Sequence, residues 1–219
     1  VLGGRGVAIV SGDDDLKTYM GAATKVSADH PVYLDSFLED AIELDVDALC
    51  DGDECYVGAV LEHIEECGIH SGDSACCFPP FSLSDKIVAN IRAIAAKLAL
   101  ACHIKGLLNV QFAVKDEQIF VIELNPRASR TVPFSSKATG VPLAKYAARI
   151  MSGERISDFN LPPVDRDLGY YAVKEAVMPW SRFPGADVTL GPEMKSTGEV
   201  MGIDTTFPKA YAKTREASE

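Results

Sequence analysis

The sequence predicts an α+β fold in which antiparallel β-hairpins pack against helices. Three patterns support this prediction. Residues 42–50 alternate between apolar and mostly acidic side chains, residues 107–124 contain a second pair of strand-like runs, and residues 84–103 repeat apolar side chains at helical spacing. Strand pairs that are separated by helices are typical of layered α+β domains.

The first hairpin is predicted from strict period-two alternation. Ile42, Leu44 and Val46 would point to one face of a strand, and Glu43 and Asp45 to the other. Such alternation predicts a strand with one buried face. An Asp-Gly-Asp-Glu turn at 51–54 would reverse the chain, and residues 55–61 would return antiparallel to it.

The second hairpin is predicted at residues 107–115 and 118–124, with the turn at Asp116 and Glu117. The helix between the hairpins would begin after a Ser84 cap. Its apolar stripe consists of Ile87, Ile91, Ile94 and Leu98.

The rest of the chain is assigned more coarsely. We predict helices at 14–25 and 142–151, a strand at 6–10, an extended stretch at 31–38, loops at 68–80 and 125–140, and strands and turns after residue 163. Residues 1–150 and residues 151–219 are expected to be two parts of one unit, the second its C-terminal part.

The composition excludes several classes of protein. Asp and Glu number 32 against 21 Lys and Arg, so the net charge of -11 disfavours non-specific nucleic-acid binding. No apolar run reaches the roughly 18 residues that a membrane-spanning helix needs. The 6 cysteines lack zinc spacing and are interpreted as reduced thiols in a cytoplasmic protein, with Cys50, Cys55 and Cys102 as small core residues.

The second hairpin also carries the clearest chemical signal. Asn109, Gln111, Glu123 and Asn125 interrupt its apolar strands. A turn at 116–117 places Gln111 opposite residue 122 or 123, where Cβ atoms lie about 5 Å apart. Amide and carboxylate oxygens suit Mg²⁺ or Mn²⁺. The alternative to a metal site is a solvated face of the sheet that carries scattered polar residues.

Two arginines follow directly. Arg127 and Arg130 lie in the predicted loop after Asn125. A guanidinium offers a fixed fork of donors to phosphate or carboxylate oxygens, so the pair favours a polyphosphate ligand beside a divalent metal.

Two glycine-containing segments give weaker signals. Residues 68–74, rich in Gly and Ser, could expose backbone amides to a ligand, with His70 as the best histidine candidate; a structural histidine is the alternative. Gly3 and Gly4 could approach a phosphate, although by themselves they are better explained by a simple turn. His63 and Glu66 have only weak metal-ligand spacing.

Several runs together resemble one family. EHIE at 62–65, HSGDSA at 70–75, NVQFAVK at 109–115, IELNPRASR at 122–130 and SKATG at 136–140 closely resemble the large subunit of carbamoyl phosphate synthetase. That subunit contains two ATP-grasp halves. The present chain is most similar to the second half, which phosphorylates carbamate.

The resemblance implies roles for individual residues. Gln111, Glu123 and Asn125 match the ligands of Mg²⁺ or Mn²⁺, and the first two also match nucleotide contacts. The further nucleotide-binding residues that it implies are Leu38, Glu43, Gly68, Ile69, His70, Ser71, Gly3 and Gly4. Arg127 and Arg130 match catalytic arginines near the transferred phosphoryl group. Ser36 departs from the family pattern, in which a basic side chain is more usual.

The resemblance also implies an activity and partners. It implies an ATP-dependent ligase that makes carbamoyl phosphate for arginine and pyrimidine biosynthesis from ATP and carbamate. The partners would be the rest of the large subunit and a glutamine-hydrolysing small subunit. The chain is interpreted as a fragment that is inactive alone. Alternatives are another ATP-grasp carboxylate–amine ligase, a biotin-dependent carboxylase, or a non-catalytic nucleotide-binding module.

Overall fold

The structure is a computed structural model that describes residues 7–26, 32–164 and 166–218. These residues form a 7-stranded antiparallel sheet with the strand order β5-β4-β1-β2-β3-β6-β7. In chain order the elements are α1 (Asp13–Val26), β1 (Ile42–Cys50), β2 (Cys55–His63), β3 (Cys76–Phe78), α2 (Asp85–Ala101), β4 (Gly106–Lys115), β5 (Gln118–Asn125), α3 (Val132–Thr139), α4 (Leu143–Met151), β6 (Tyr171–Val177), β7 (Gly198–Asp204) and α5 (Phe207–Ser218).

The two predicted hairpins are confirmed, and they lie side by side because β1 pairs with β4. In the second hairpin, Asp116 and Glu117 have φ angles of 50° and 61°. Positive φ at both turn residues matches the right-handed twist of the strands that they join. The turn sets the register from Lys115 opposite Gln118 to Phe112 opposite Val121, and a β-bulge beside Gln111 then shifts the pairing by one residue, so that Gln111 lies opposite Glu123.

One face of these strands forms the main apolar core with α2. Ser84 caps α2 as predicted, since the Ile87 amide donates to its Oγ at 3.4 Å. The buried core comprises residues of the sheet and of α2: Leu44, Val46, Ala48, Val60, Val110 and Phe112 with Ile87, Val88, Ile91, Ala95 and Ala99. Of the predicted stripe, Ile94 and Leu98 are only partly buried against this core.

The prediction that β1 is buried on one face only is wrong. Asp45 and Asp47, on the face expected to meet solvent, are 1% and 0% exposed. Leu49, on the same face, packs with Val132 of α3 and Leu143 of α4. The two helices therefore cover part of the second face, and the buried carboxylates need hydrogen-bonding partners there.

Other local predictions also need correction. Residues 7–10 form no strand, the segment 68–80 contains β3, and the segment 125–140 contains α3. Cys102, expected in the core, is exposed. After residue 163 the chain forms strands and then a final helix, α5.

α3 has 8 residues, which are too few for a helical period to be recognised. Pro133 at its start and the left-handed Gly140 at its end are ordinary signals of helix boundaries.

β6 and β7 extend the same sheet, so residues 151–219 do not build a separate core. α5 packs on these strands at Ala210, which lies in a cluster with Val173 and Cys77. In the described ranges, no helix combines the length and the apolar character needed to cross a membrane.

Replacing Gly202 by Ala is expected to loosen the contact between β7 and α5. A Cβ atom at Gly202 would lie 2.3 Å from Thr214 Oγ1 and 2.4 Å from the Ala210 carbonyl oxygen. Since helix backbone cannot rotate away, we expect overpacking to lower the free energy of unfolding by about 1–3 kcal/mol. Urea denaturation would measure this loss. Gly191→Ala, where no atom lies within 4 Å, is the control, and equal effects of both substitutions would contradict the expectation.

Candidate functional site

A cleft of about 770 Å³ opens over the polar face of the central strands. Most of the predicted site residues border it. They are Glu43, Gly68, Ile69, His70, Ser71, Gln111, Glu123, Asn125, Arg127 and Arg130. Side chains from four separate stretches of sequence thus meet in one volume.

The other three predicted site residues are Leu38, Gly3 and Gly4. Leu38 does not border the cleft; its carbonyl accepts a hydrogen bond from the Ala41 amide at 3.3 Å, just before β1. Gly3 and Gly4 lie outside the described residues. The roles assigned to all three therefore stay predictions.

Gln111, Glu123 and Asn125 share one face of the second hairpin. Gln111 is directly opposite Glu123, and Asn125, two residues further along the strand, is opposite Asn109. Residues two apart in a strand point to the same side. The Asn125 amide donates to Glu123 Oε1 at 2.7 Å, so the carboxylate and this amide can reach a common ligand.

These three side chains fit a hard cation that is shared with an anionic ligand. In the described part of the chain, no three His, Cys, Asp or Glu side chains form a metal-binding group. The set instead combines one carboxylate with two amide oxygens, which are hard donors of the kind that Mg²⁺ prefers. With a single negative charge among its protein ligands, a divalent ion here would take further oxygens from water or phosphate.

The two arginines lie at the edge of the cleft. Arg127 donates from Nη2 to Asn125 Oδ1 at 3.1 Å and from Nη1 to the Ala128 carbonyl at 3.1 Å. Arg130 is exposed at the cleft, and its charge contributes to lowering the pKa of His70. Both guanidiniums therefore lie where they could meet an anion beside Asn125.

A buried histidine joins two carboxylates under the cleft. His63 Nε2 lies 3.0 Å from Asp45 Oδ2, and Nδ1 forms a longer ion pair of 3.5 Å with Glu43 Oε2. Burial alone would lower the pKa of His63, but the two carboxylates outweigh it and raise the pKa to about 9. Burial raises the pKa of Glu43 and Asp45, and His63 reverses this effect, so both end below their ordinary values.

This pKa predicts a pH-dependent stability. Because the folded-state value of about 9 exceeds the ordinary 6.5, protonated His63 stabilises the fold fully below pH 6.5. That contribution is lost as the pH rises through 9. We expect urea denaturation to show the free energy of unfolding falling across this interval, and a His63→Gln variant to lack most of the fall. A wild-type stability that is flat across the interval would contradict the assignment.

The segment that carries His70 is held by the C-terminal part of the chain. The His70 amide donates to the Gly191 carbonyl at 2.8 Å. The Asp73 carboxylate accepts the backbone amides of Lys195 and Ser196 at 2.7 and 2.9 Å. Pro192 and Met194 from the same stretch border the cleft.

Several residues of the cleft were not predicted as site residues. Asp45, Ser129, Thr131, Pro192 and Met194 border it. The alternation of β1 already placed Asp45 on the same face as Glu43, so that residue could have been found. Pro192 and Met194 stand in an irregular segment, and nothing in their local sequence points to a ligand.

Burial also affects His70 itself. Its Nδ1 accepts a hydrogen bond from the Gly72 amide at 3.0 Å. Burial, together with the charge of Arg130, lowers its pKa below the ordinary value, although Asp73 opposes this effect. The imidazole is therefore neutral near pH 7, with Nε2 left to donate a proton to a ligand.

Comparison with known proteins shows the family to which the chain belongs. A family described as "Carbamoyl-phosphate synthase L chain, ATP binding domain" matches residues 1–159. Carbamoyl phosphate synthase large chains are 55% identical over 213 residues in Methanosphaerula palustris and 55% identical over 220 residues in Pasteurella multocida. These matches cover 97% and 98% of this chain, which spans about 20% of each relative's length.

Solved structures establish the fold. A biotin carboxylase from Campylobacter jejuni, solved as a β,γ-ATP complex, superposes with a TM-score of 0.72 at 17% identity, covering 96% of this chain and 53% of that one. The biotin carboxylase domain of a single-chain bacterial carboxylase gives 0.64 at 18% identity, covering 97% and 58%. The predicted α+β ATP-grasp fold is thus confirmed, and the chain belongs to the family of carbamoyl-phosphate synthase large-chain ATP-binding domains.

Proposed function

We propose that the chain forms the nucleotide-binding cleft of a longer carbamoyl phosphate synthase large chain and there helps to transfer the γ-phosphoryl group of ATP to carbamate. The observation that carries the proposal is the convergence of Gln111, Glu123 and Asn125 on one face of a cleft that Arg127 and Arg130 border. Few other ligands need a hard-cation site and two guanidiniums at once.

The adenosine end of the nucleotide is assigned to Glu43 and the segment 68–71. Glu43 already accepts hydrogen bonds from the Cys67 thiol at 3.2 Å and the Gly68 amide at 3.4 Å, which hold it at the cleft. Its lowered pKa keeps it ionised as an acceptor for ribose hydroxyls. Leu38 is assigned to the adenosine pocket on the family resemblance alone.

The phosphate end is assigned to the second hairpin. Gln111, Glu123 and Asn125 would hold Mg²⁺ or Mn²⁺ there. When bound, a divalent ion would neutralise negative charge on the phosphates. Asn125 is well placed for this task, because its amide contacts Glu123 on one side and Arg127 on the other.

In the proposed reaction a carbamate oxygen attacks the γ-phosphorus of ATP. The new O–P bond forms as the bond to the β–γ bridging oxygen breaks, and ADP leaves with the electron pair. Charge spreads over the phosphoryl oxygens in the transition state. Arg127 and Arg130 would offset that charge and orient the carbamate. Gly3 and Gly4 would belong to a loop that excludes water from the site.

The wider setting follows from the same proposal. The rest of the large chain and a glutamine-hydrolysing small subunit would supply ammonia and carbamate. Carbamoyl phosphate would then serve arginine and pyrimidine biosynthesis in the cytoplasm.

A second candidate is a biotin-dependent carboxylase, because both solved neighbours carry that name. At 17–18% identity, these neighbours share only the fold with this chain. The carbamoyl phosphate synthase large chain of Methanosphaerula palustris is 55% identical to it. The comparisons therefore favour a carbamoyl phosphate synthase over a carboxylase, and carbamate as the acceptor rests on the resemblance to the second half.

The reverse reaction tests the proposal. The full-length protein that contains this chain would be given carbamoyl phosphate and MgADP, and ATP formation would be followed. We expect ATP, and we expect an Arg130→Ala variant to lose most of it. Absence of ATP from the wild type, or ATP hydrolysis that depends on biotin, would overturn the proposal in favour of the alternative.

A further inference from the structure

A buried carboxylate lies directly behind the arginines. Asp47 of β1 is 0% exposed, and its two oxygens accept four hydrogen bonds from side chains. Oδ1 accepts from Asn109 Nδ2 at 3.1 Å and from Ser129 Oγ at 2.7 Å. Oδ2 accepts from the hydroxyls of Thr131 and Ser135, both at 2.7 Å.

The donors come from three different parts of the fold. Asn109 is on β4, Ser135 is in α3, and Ser129 and Thr131 are the immediate neighbours of Arg130. Their hydroxyls also lie 2.7 Å from each other. Arg130 itself extends into the cleft, so one carboxylate on the sheet fixes the backbone on both sides of this exposed guanidinium.

We propose that Asp47 is a positioning residue, which locks the segment 126–131 to the sheet so that Arg130 meets the transferred phosphoryl group. The catalytic role of Arg130 in this inference rests on the proposed function. The attachment of the segment 126–131 to the sheet by Asp47 does not depend on it. Electrostatic catalysis depends on donors that are held in place before the reaction, and a shift of about 1 Å can cost about 10²-fold in rate.

The alternative, a purely structural carboxylate, explains the arrangement less well. A buried carboxylate is costly unless it is fully hydrogen-bonded, and apolar residues would fill this place at lower cost. Asn109 also donates to Asp45 at 3.0 Å, so Asp47 is connected through it to the His63 cluster beneath Glu43. The network thus runs from the proposed ribose-binding carboxylate to the proposed catalytic arginine.

The locking can be measured without any activity. Asp47→Asn keeps the side-chain volume but replaces one acceptor oxygen with a donor. Its matched control is Glu62→Gln, another buried carboxylate, which accepts the Phe81 and Ser82 amides away from the cleft. In the full-length protein, hydrogen–deuterium exchange in peptides covering 126–135 is expected to rise for Asp47→Asn alone, with exchange in α2 unchanged. Unchanged exchange in 126–135 would contradict the proposal that Asp47 holds this segment against the sheet.

The catalytic consequence is tested by a double-mutant cycle on ATP formation from carbamoyl phosphate and MgADP. Asp47→Asn is expected to lower kcat by about 10²-fold with little change in the KM for MgADP. If it acts through Arg130, its effect should largely vanish in an Arg130→Ala background.

The outcomes separate this inference from the proposed function. Additive effects, or a raised KM with normal kcat, would overturn a positioning role. If the wild type makes no ATP, the proposed function fails. In that case, increased exchange in 126–135 for Asp47→Asn would still show that Asp47 holds this segment in place.

Discussion

Replacing Glu123 by Gln is expected to lower the rate of ATP-dependent phosphoryl transfer by about 10²–10³-fold while leaving the fold intact. Glu123 is exposed on the edge strand β5 and supplies the only carboxylate among the three proposed metal ligands. The amide keeps the size of the side chain but removes the negative charge that would hold the cation. Steady-state rates of the full-length protein, with saturating ATP and metal, would measure the loss.

The control for this substitution lies in the same hairpin. Glu117→Gln changes a carboxylate to an amide in the turn, which does not border the cleft. It should leave the rate unchanged. Near-normal turnover by Glu123→Gln, or an equal loss from Glu117→Gln, would remove Glu123 from the proposed metal site.

Replacing His63 by Leu is expected to have the largest effect on stability. The substitution leaves Asp45, which is 1% exposed, and Glu43 without the cation that lies between them. Breaking a buried ion pair by removing one partner typically costs about 3–5 kcal/mol, because an uncompensated charge stays buried. Urea denaturation at pH 6, where the imidazole is protonated in the wild type, would measure the change in the free energy of unfolding.

His103→Asn is the appropriate control, since His103 is exposed and its φ of 51° is a conformation that Asn adopts readily. We expect it to change the stability little. A loss below about 1 kcal/mol for His63→Leu would mean that the buried cluster is not ionised as described.

The sequence alone predicted the central hairpins and the register next to their turns because those features depend on local rules. Period-two alternation defines β1, and a two-residue turn at 116–117 determines which residues face each other across β4 and β5 as far as Phe112 and Val121. The turn alone left Gln111 opposite residue 122 or 123, and a β-bulge beside Gln111, which no local pattern shows, decides for Glu123. Their role at a metal still depends on the family resemblance.

Features that depend on distant contacts could not be predicted in the same way. The sequence predicts that the acidic face of β1 meets solvent, because no local pattern shows that α3 and α4 cover part of this face. The hydrogen bonds of Asp47 to Ser129, Thr131 and Ser135 span 82 to 88 residues of sequence. α3 and β3, with 8 and 3 residues, are too short to show a period.

The central claim is that Gln111, Glu123 and Asn125 hold one divalent ion together with the nucleotide. Binding of Mn²⁺ to the full-length protein, followed by electron paramagnetic resonance with and without a non-hydrolysable ATP analogue, tests it most directly. We predict that the analogue tightens Mn²⁺ binding and that Gln111→Ala, Glu123→Gln and Asn125→Ala each weaken this nucleotide-dependent binding. Unchanged Mn²⁺ binding in all three variants would contradict the account.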